Sequence, residues 1–194
     1  MKKLFTLLLS MLLIFSYALV YADGISKAIS ERVIRFHILA NSDSEYDQTV
    51  KLKVRDYVSK NLKDTDYDVN YLEKIEDLAN RKLSDMGVDY RAKAQYEWVY
   101  IPKKEYKNLK FPSGRYKAVR LILGEGDGEN WWCVAYPSLC FTESVSGNLS
   151  KKGEERLKNS LSPDSYDIVT GKKEYKFFIV DLMEHIKETL LKGA

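Results

Sequence analysis

The stretch NWWCVAYPSLCF, residues 130–141, brings together two tryptophans, two cysteines and a proline, the side chains in this chain best suited to chemistry. Cys133 and Cys140 are the only cysteines, and His37 and His185 the only histidines. A thiol beside an imidazole base is the pairing that makes a nucleophile, so a Cys–His hydrolase is one reading of these residues. A structural zinc needs about four nitrogen and sulfur ligands, which would take both cysteines and both histidines of the chain at one point, so no metal site is expected. The C-x6-C spacing also permits a disulfide if Pro137-Ser138 turns the chain back, and so short a ring stabilises by about 2–3 kcal/mol. Disulfide, free thiols and catalysis all remain open on spacing alone.

The compartment bears on that choice. Residues 1–22, MKKLFTLLLSMLLIFSYALVYA, join a basic start at Lys2-Lys3 to an apolar run from Leu4 to Val20. Val20-Tyr21-Ala22 then offers aliphatic and small residues where a signal peptidase cuts, so the expectation is export with cleavage after Ala22. A retained membrane anchor is the alternative, because about 17 apolar residues is near the shortest length that spans a bilayer. Export into an oxidising compartment favours the Cys133–Cys140 disulfide. Loss of Lys2 and Lys3 reduces the 31 basic residues to 29 against 28 acidic ones, a net charge of +1. No general nucleic-acid-binding field is therefore indicated.

Other chemical signatures are missing. The chain contains no GxSxG, HExxH, phosphate-binding loop or dinucleotide-binding glycine pattern, and no cofactor is expected. GEGDGEN, residues 124–130, lacks the ligand spacing of a calcium loop and reads as a solvated turn, with Asp127-Gly128 as its hairpin signal.

The elements that must position these residues follow from periodicity. RVIRFHILA (32–40) alternates as a strand, with Ile34, Phe36, Ile38 and Ala40 on one face and Val33, Arg35, His37 and Leu39 on the other. Ser42 and Glu45 have capping-box spacing before an amphipathic helix over 43–62. Asn70 and Glu73 announce a second helix carrying Leu72, Ile75, Leu83 and Met86, with Gly87 as its stop. Residues 88–102 and 114–123 alternate as strands, and Trp131–Tyr136 reads as the returning arm of an aromatic-rich hairpin. A last helix over 175–192 should bury Phe178, Leu182, Ile186 and Leu190. The order implies an α+β fold, an antiparallel sheet packed against three or more helices, in one domain over 23–194 after the signal segment.

RFHILANSDSEYDQTVKLKVRD (35–56), taken with NWWCVAYPSLCF, resembles the stage II sporulation protein R family. This chain has Ser138 where the family's motif usually carries a second proline. The resemblance implies a non-enzymatic messenger, exported from the forespore into the space between the forespore and mother-cell membranes. There it would activate a membrane-embedded aspartic protease that removes the pro-sequence of the early mother-cell sigma factor. The rival class is an exported wall-modifying or peptidase enzyme using His37. On the messenger reading, Trp131 and Trp132 point to opposite faces of a strand, so one can enter the core while the other meets the partner. Arg35, His37, Asn41 and Asp43 form a second candidate contact patch.

Overall fold

The structure, a computed structural model, describes residues 2–62, 70–106, 109–136 and 151–192, without the side chains of 151–153 and 192. Two compact units emerge. One comprises Val33–Val99 and Tyr116–Leu157, and the other Met1–Arg32, Tyr100–Arg115 and Lys158–Ala194. Each is assembled from separated stretches of chain, which is why no linker marks a boundary in the sequence.

The first unit is built on a four-stranded sheet. Strand β1 (Ile34–Leu39) leads into helices α2 (Glu45–Asn61) and α3 (Tyr71–Asp85), followed by strands β2 (Ala92–Ile101), β5 (Gly114–Leu123) and β6 (Asn130–Tyr136). The spatial order is β2-β5-β1-β6. β1 runs parallel to β5, with Arg35 opposite Ala118, and antiparallel to β6, with Phe36 opposite Cys133. The class is α+β, but the sheet is mixed rather than antiparallel, and β5 and β6 do not form a hairpin because β1 lies between them. Crossing over one strand means covering roughly 10 Å, two strand spacings, which a two-residue turn cannot do and the longer GEGDGEN segment can. The Asp127-Gly128 amides donate instead to the Asn41 and Ala40 carbonyls beyond the end of β1, at 3.3 and 3.0 Å.

Alternation along β1 is as expected: Phe36 and Ile38 join Val50, Val54, Ile75 and Leu83 in the core beneath α2 and α3. A central strand is also covered on its second face, and Arg35, His37 and Leu39 are buried too. The N-cap of α2 is Ser44 rather than Ser42, its hydroxyl accepting from the Asp47 amide at 3.1 Å. Gly87 follows α3 at φ 66°, the left-handed geometry that ends a helix most cheaply with glycine.

The second unit contains helix α1 (Lys2–Ser30), the small antiparallel pair β3 (Lys104–Tyr106) and β4 (Leu109–Phe111), α5 (Pro163–Val169) and α6 (Glu174–Lys192). Helix α4 (Lys151–Ser160) precedes α5. Sequence periodicity did not single out α4, α5 or the β3–β4 pair, although Ser162-Pro163 is a helix start: Ser162 caps the Ser165 amide and proline takes the first turn. Asp164 on α5 clasps its neighbours, accepting from Lys173 (2.7 Å), Lys176 (2.9 Å) and the Tyr21 hydroxyl (3.3 Å). The two lysines hold its carboxyl down to a pKa of about 2. Ser113 donates through its amide and hydroxyl to Asp181 on α6, at 2.8 and 3.2 Å.

The expected buried stripe of α6 is not the buried one. Phe178, Leu182 and Leu190 are exposed, while Phe177, Val180 and Glu184 are buried. The apolar i, i+4 row is real, but a neighbouring row does the packing.

Candidate functional site

The best-organised polar site lies where the end of β1 and the start of α2 meet the loop before β6. Its centre is the Asp47 carboxylate, 5 % exposed, in the first turn of α2. Ser42 Oγ donates to it at 2.6 Å, Asn41 Nδ2 at 2.9 Å and the Tyr90 hydroxyl at 2.7 Å. Burial opposes the charge, but the hydrogen bonds from Ser42, Tyr90, Asn41 and Ser44 outweigh it and hold the carboxyl below its ordinary pKa. Burial and the neighbouring carboxylate push the Tyr90 hydroxyl up in turn.

The same segment grips the 124–130 loop. Asn41 Oδ1 accepts from the Glu125 amide (3.0 Å), and Asp43 Oδ1 from the Glu129 amide (2.7 Å). Lys51 Nζ, from the next turn of α2, donates to the Glu129 carbonyl at 2.8 Å. Gly128 presses so closely on this frame that a Cβ there would lie 2.2 Å from the Ser42 carbonyl oxygen. The two segments NSDSE and GEGDGEN are thus one interlocked structure. Asn41 and Asp43, candidate contact residues by sequence, serve here as its clamps.

β6 carries the aromatic residues away from this frame. Trp131, half-buried, meets Phe36 edge-on with ring centroids 6.4 Å apart, and the Arg55 guanidinium lies 5.2 Å from its centroid. Trp132 points to the other face and stacks on His37 at 3.6 Å with 11° between the planes. His37 Nε2 donates to Asn130 Oδ1 at 2.5 Å. Its Nδ1 is buried, with no hydrogen-bond partner among the described residues. Desolvation dominates the ring's protonation: despite the bond to Asn130, the pKa falls to about 4, and Arg120 also lowers it. Arg35 is wholly buried, its Nε donating to the Cys133 carbonyl (3.2 Å) and its guanidinium 5.1 Å from the Tyr116 ring centroid. Cys133 belongs to the core beneath α2 and α3. Cys140, with Pro137 and Ser138, lies outside the described residues, so the proposed bond is not in view. Ala22 sits within α1 and is wholly buried. No group of three or more metal-ligating side chains occurs among the described residues.

The candidate patch therefore divides. His37 and Trp132 form a stacked pair on one face of the sheet; Trp131 packs on the other; Asn41 and Asp43 hold the frame, and Arg35 is buried against Cys133 and Tyr116. Sequence reasoning overlooked Trp98, which at 53 % exposure is the most accessible of the three tryptophans. Tyr96, 38 % exposed, is two residues before it on β2, with Lys117 Nζ 4.5 Å from its ring centroid. The visible signal was the aromatic alternation in QYEWVY.

A family model described as stage II sporulation protein R matches residues 30–146. The chain belongs to the stage II sporulation protein R family. A Bacillus subtilis (strain 168) protein named stage II sporulation protein R is 32 % identical over 158 residues, spanning 75 % of this chain and 70 % of that protein. No solved structure matches the chain. The family assignment places its role in sporulation, and the matched residues take in β1, the interlocked turn and β6 together.

Proposed function

We propose that this family member is an exported sporulation signal. It acts in the space between the forespore and mother-cell membranes, where it switches on a septal membrane aspartic protease. The protease then processes the precursor of the early mother-cell sigma factor. The observation that carries this reading is the family match across residues 30–146, which contains the whole interlocked site. The apolar α1 agrees with an exported chain, since it has the length and composition of a signal sequence or anchor. On this reading the partner is recognised by aromatic side chains. Trp132 on its His37 platform is the contact candidate on one face of the sheet, and Trp98 beside Tyr96 is the candidate on the other. The Cys133–Cys140 disulfide remains part of the proposal and would pin the segment after β6; alkylation and intact mass of the exported chain test it directly.

The exported-enzyme reading draws little support from His37. An imidazole stacked under a tryptophan, bonded to an amide oxygen and held near pKa 4 is a weak general base at neutral pH. The test is genetic. Deleting the gene in its sporulating host should leave the sigma-factor precursor uncleaved, and expression in the forespore alone should restore cleavage. Normal processing in the deletion strain would overturn the proposal.

A further inference from the structure

Helix α6 leaves its most apolar row uncovered. Phe178 (64 % exposed), Leu182 (39 %) and Leu190 (69 %) project with Ile186 at successive i+4 positions, and Leu191 (63 %) adds to the last turn. Single exposed leucines are ordinary, but a row spanning more than three turns is an interaction surface. Its geometry relative to α1 indicates what covers it.

Lys176 near the start of α6 is 5.5 Å from the Tyr21 ring centroid, whereas Lys187, eleven residues on, pairs with Asp23. About 16 Å of α6 thus meets about 3 Å of α1, at 1.5 Å of rise per residue, so α6 crosses α1 instead of running alongside it. The crossing is at Tyr21–Asp23, just where the apolar run from Leu4 to Val20 ends. Above it, polar residues face each other: Asp23, Ser26, Lys27 and Ser30 of α1 with Glu184, Lys187 and Glu188 of α6. Below it, an open groove of about 500 Å³ is lined by Phe15, Leu19 and Val20 of α1 with Met183, Ile186 and Leu190 of α6, and by the charged Asp23, Glu184 and Lys187 that it shares with the polar stretch above. Two members of the uncovered row, Ile186 and Leu190, therefore face the apolar run of α1.

We propose that α1 is retained as a membrane anchor and that α6 lies in the plane of the same bilayer's surface, its Phe178–Leu190 row sunk among the outermost acyl chains. Among the described residues α1 is the one helix long and apolar enough to cross a membrane. Its apolar run of 17 residues covers roughly 26 Å of a hydrocarbon core about 30 Å thick. A collar of leucines at the outer edge makes up that shortfall; the lipid contact rests on this apolar row, since α6 carries four carboxylates beside its three lysines. The same contacts agree with retention. Cleavage after Ala22 would cut α1 at a wholly buried residue and part Tyr21, bonded to Asp164, from Asp23, paired with Lys187. This inference does not depend on the protease reading.

Reconstitution of the full chain into phosphatidylethanolamine–phosphatidylglycerol vesicles, brominated on the upper acyl chain, tests it. Tryptophan is introduced at Leu182→Trp or Leu190→Trp, with the parent chain and its three native tryptophans as the reference. The fluorescence added at 182 and 190 should be quenched at least twofold relative to unbrominated vesicles. Intact mass of the chain recovered from cell membranes should include residues before Ala22. Absence of quenching at both α6 positions would overturn the placement, as would their crosslinking to a second copy of the chain. A recovered chain starting at Asp23 would overturn the retained anchor.

Discussion

At the scale of single residues, the Asp47 carboxylate carries the most structure for its size, since three side-chain donors, from Asn41, Ser42 and Tyr90, converge on it. Hydrogen bonds to a buried charge are worth more than neutral ones, and Asp47→Asn should cost about 2 kcal/mol in chemical unfolding at pH 7. The folded pKa is depressed, so the stabilisation is complete above the ordinary carboxylate range and is lost as pH falls through the folded value. The gap between the variant and the parent should therefore narrow on acidification. His37 gives a second pH dependence. Its folded pKa of about 4 lies below the unfolded 6.5, so the unfolded chain binds the proton first. Stability should fall by up to about 3 kcal/mol between pH 6.5 and 4, and His37→Phe should flatten that slope in a pH series of unfolding curves. The tryptophans separate by face. Trp131→Ala removes a packing partner of Phe36 and should cost about 2–3 kcal/mol. Trp132→Ala should reduce precursor processing in sporulating cells severalfold while export and the unfolding midpoint stay close to the parent's; an equal loss of stability would give Trp132 a packing role only.

At the scale of elements, local signals were legible wherever the chain answers to itself. The alternation of β1, the length of α2, and Gly87 behind α3 all follow from side-chain spacing and backbone sterics within a few residues. Misreadings arose where a distant element decides. Asp127-Gly128 carries the chemistry of a tight hairpin, yet β1, nearly a hundred residues earlier, takes the place between the two arms. The row Phe178–Leu190 has the spacing of a buried face, but periodicity identifies an apolar row without identifying what covers it. Of the candidate site, the composition was visible and the division of labour was not: Asn41 and Asp43 became clamps because the GEGDGEN loop docks against them. Gly128 tests that docking. Alanine there would drive a methyl group into the Ser42 carbonyl, and Gly128→Ala should lower stability by about 1–3 kcal/mol in thermal unfolding. The same change at Gly24, where a Cβ would meet nothing within 4 Å, should not.

At the scale of the whole molecule, family membership, an apolar α1 and an aromatic face on the sheet fit a messenger that works by contact. The central claim is activation of a membrane protease. The most direct measurement is cleavage of the sigma-factor precursor in non-sporulating cells that co-express the precursor, the candidate septal protease and this chain with its own α1. The account predicts cleavage that requires this chain and is weakened by Trp132→Ala. Cleavage that proceeds equally without the chain, or none with all three proteins present and the chain exported, would contradict it.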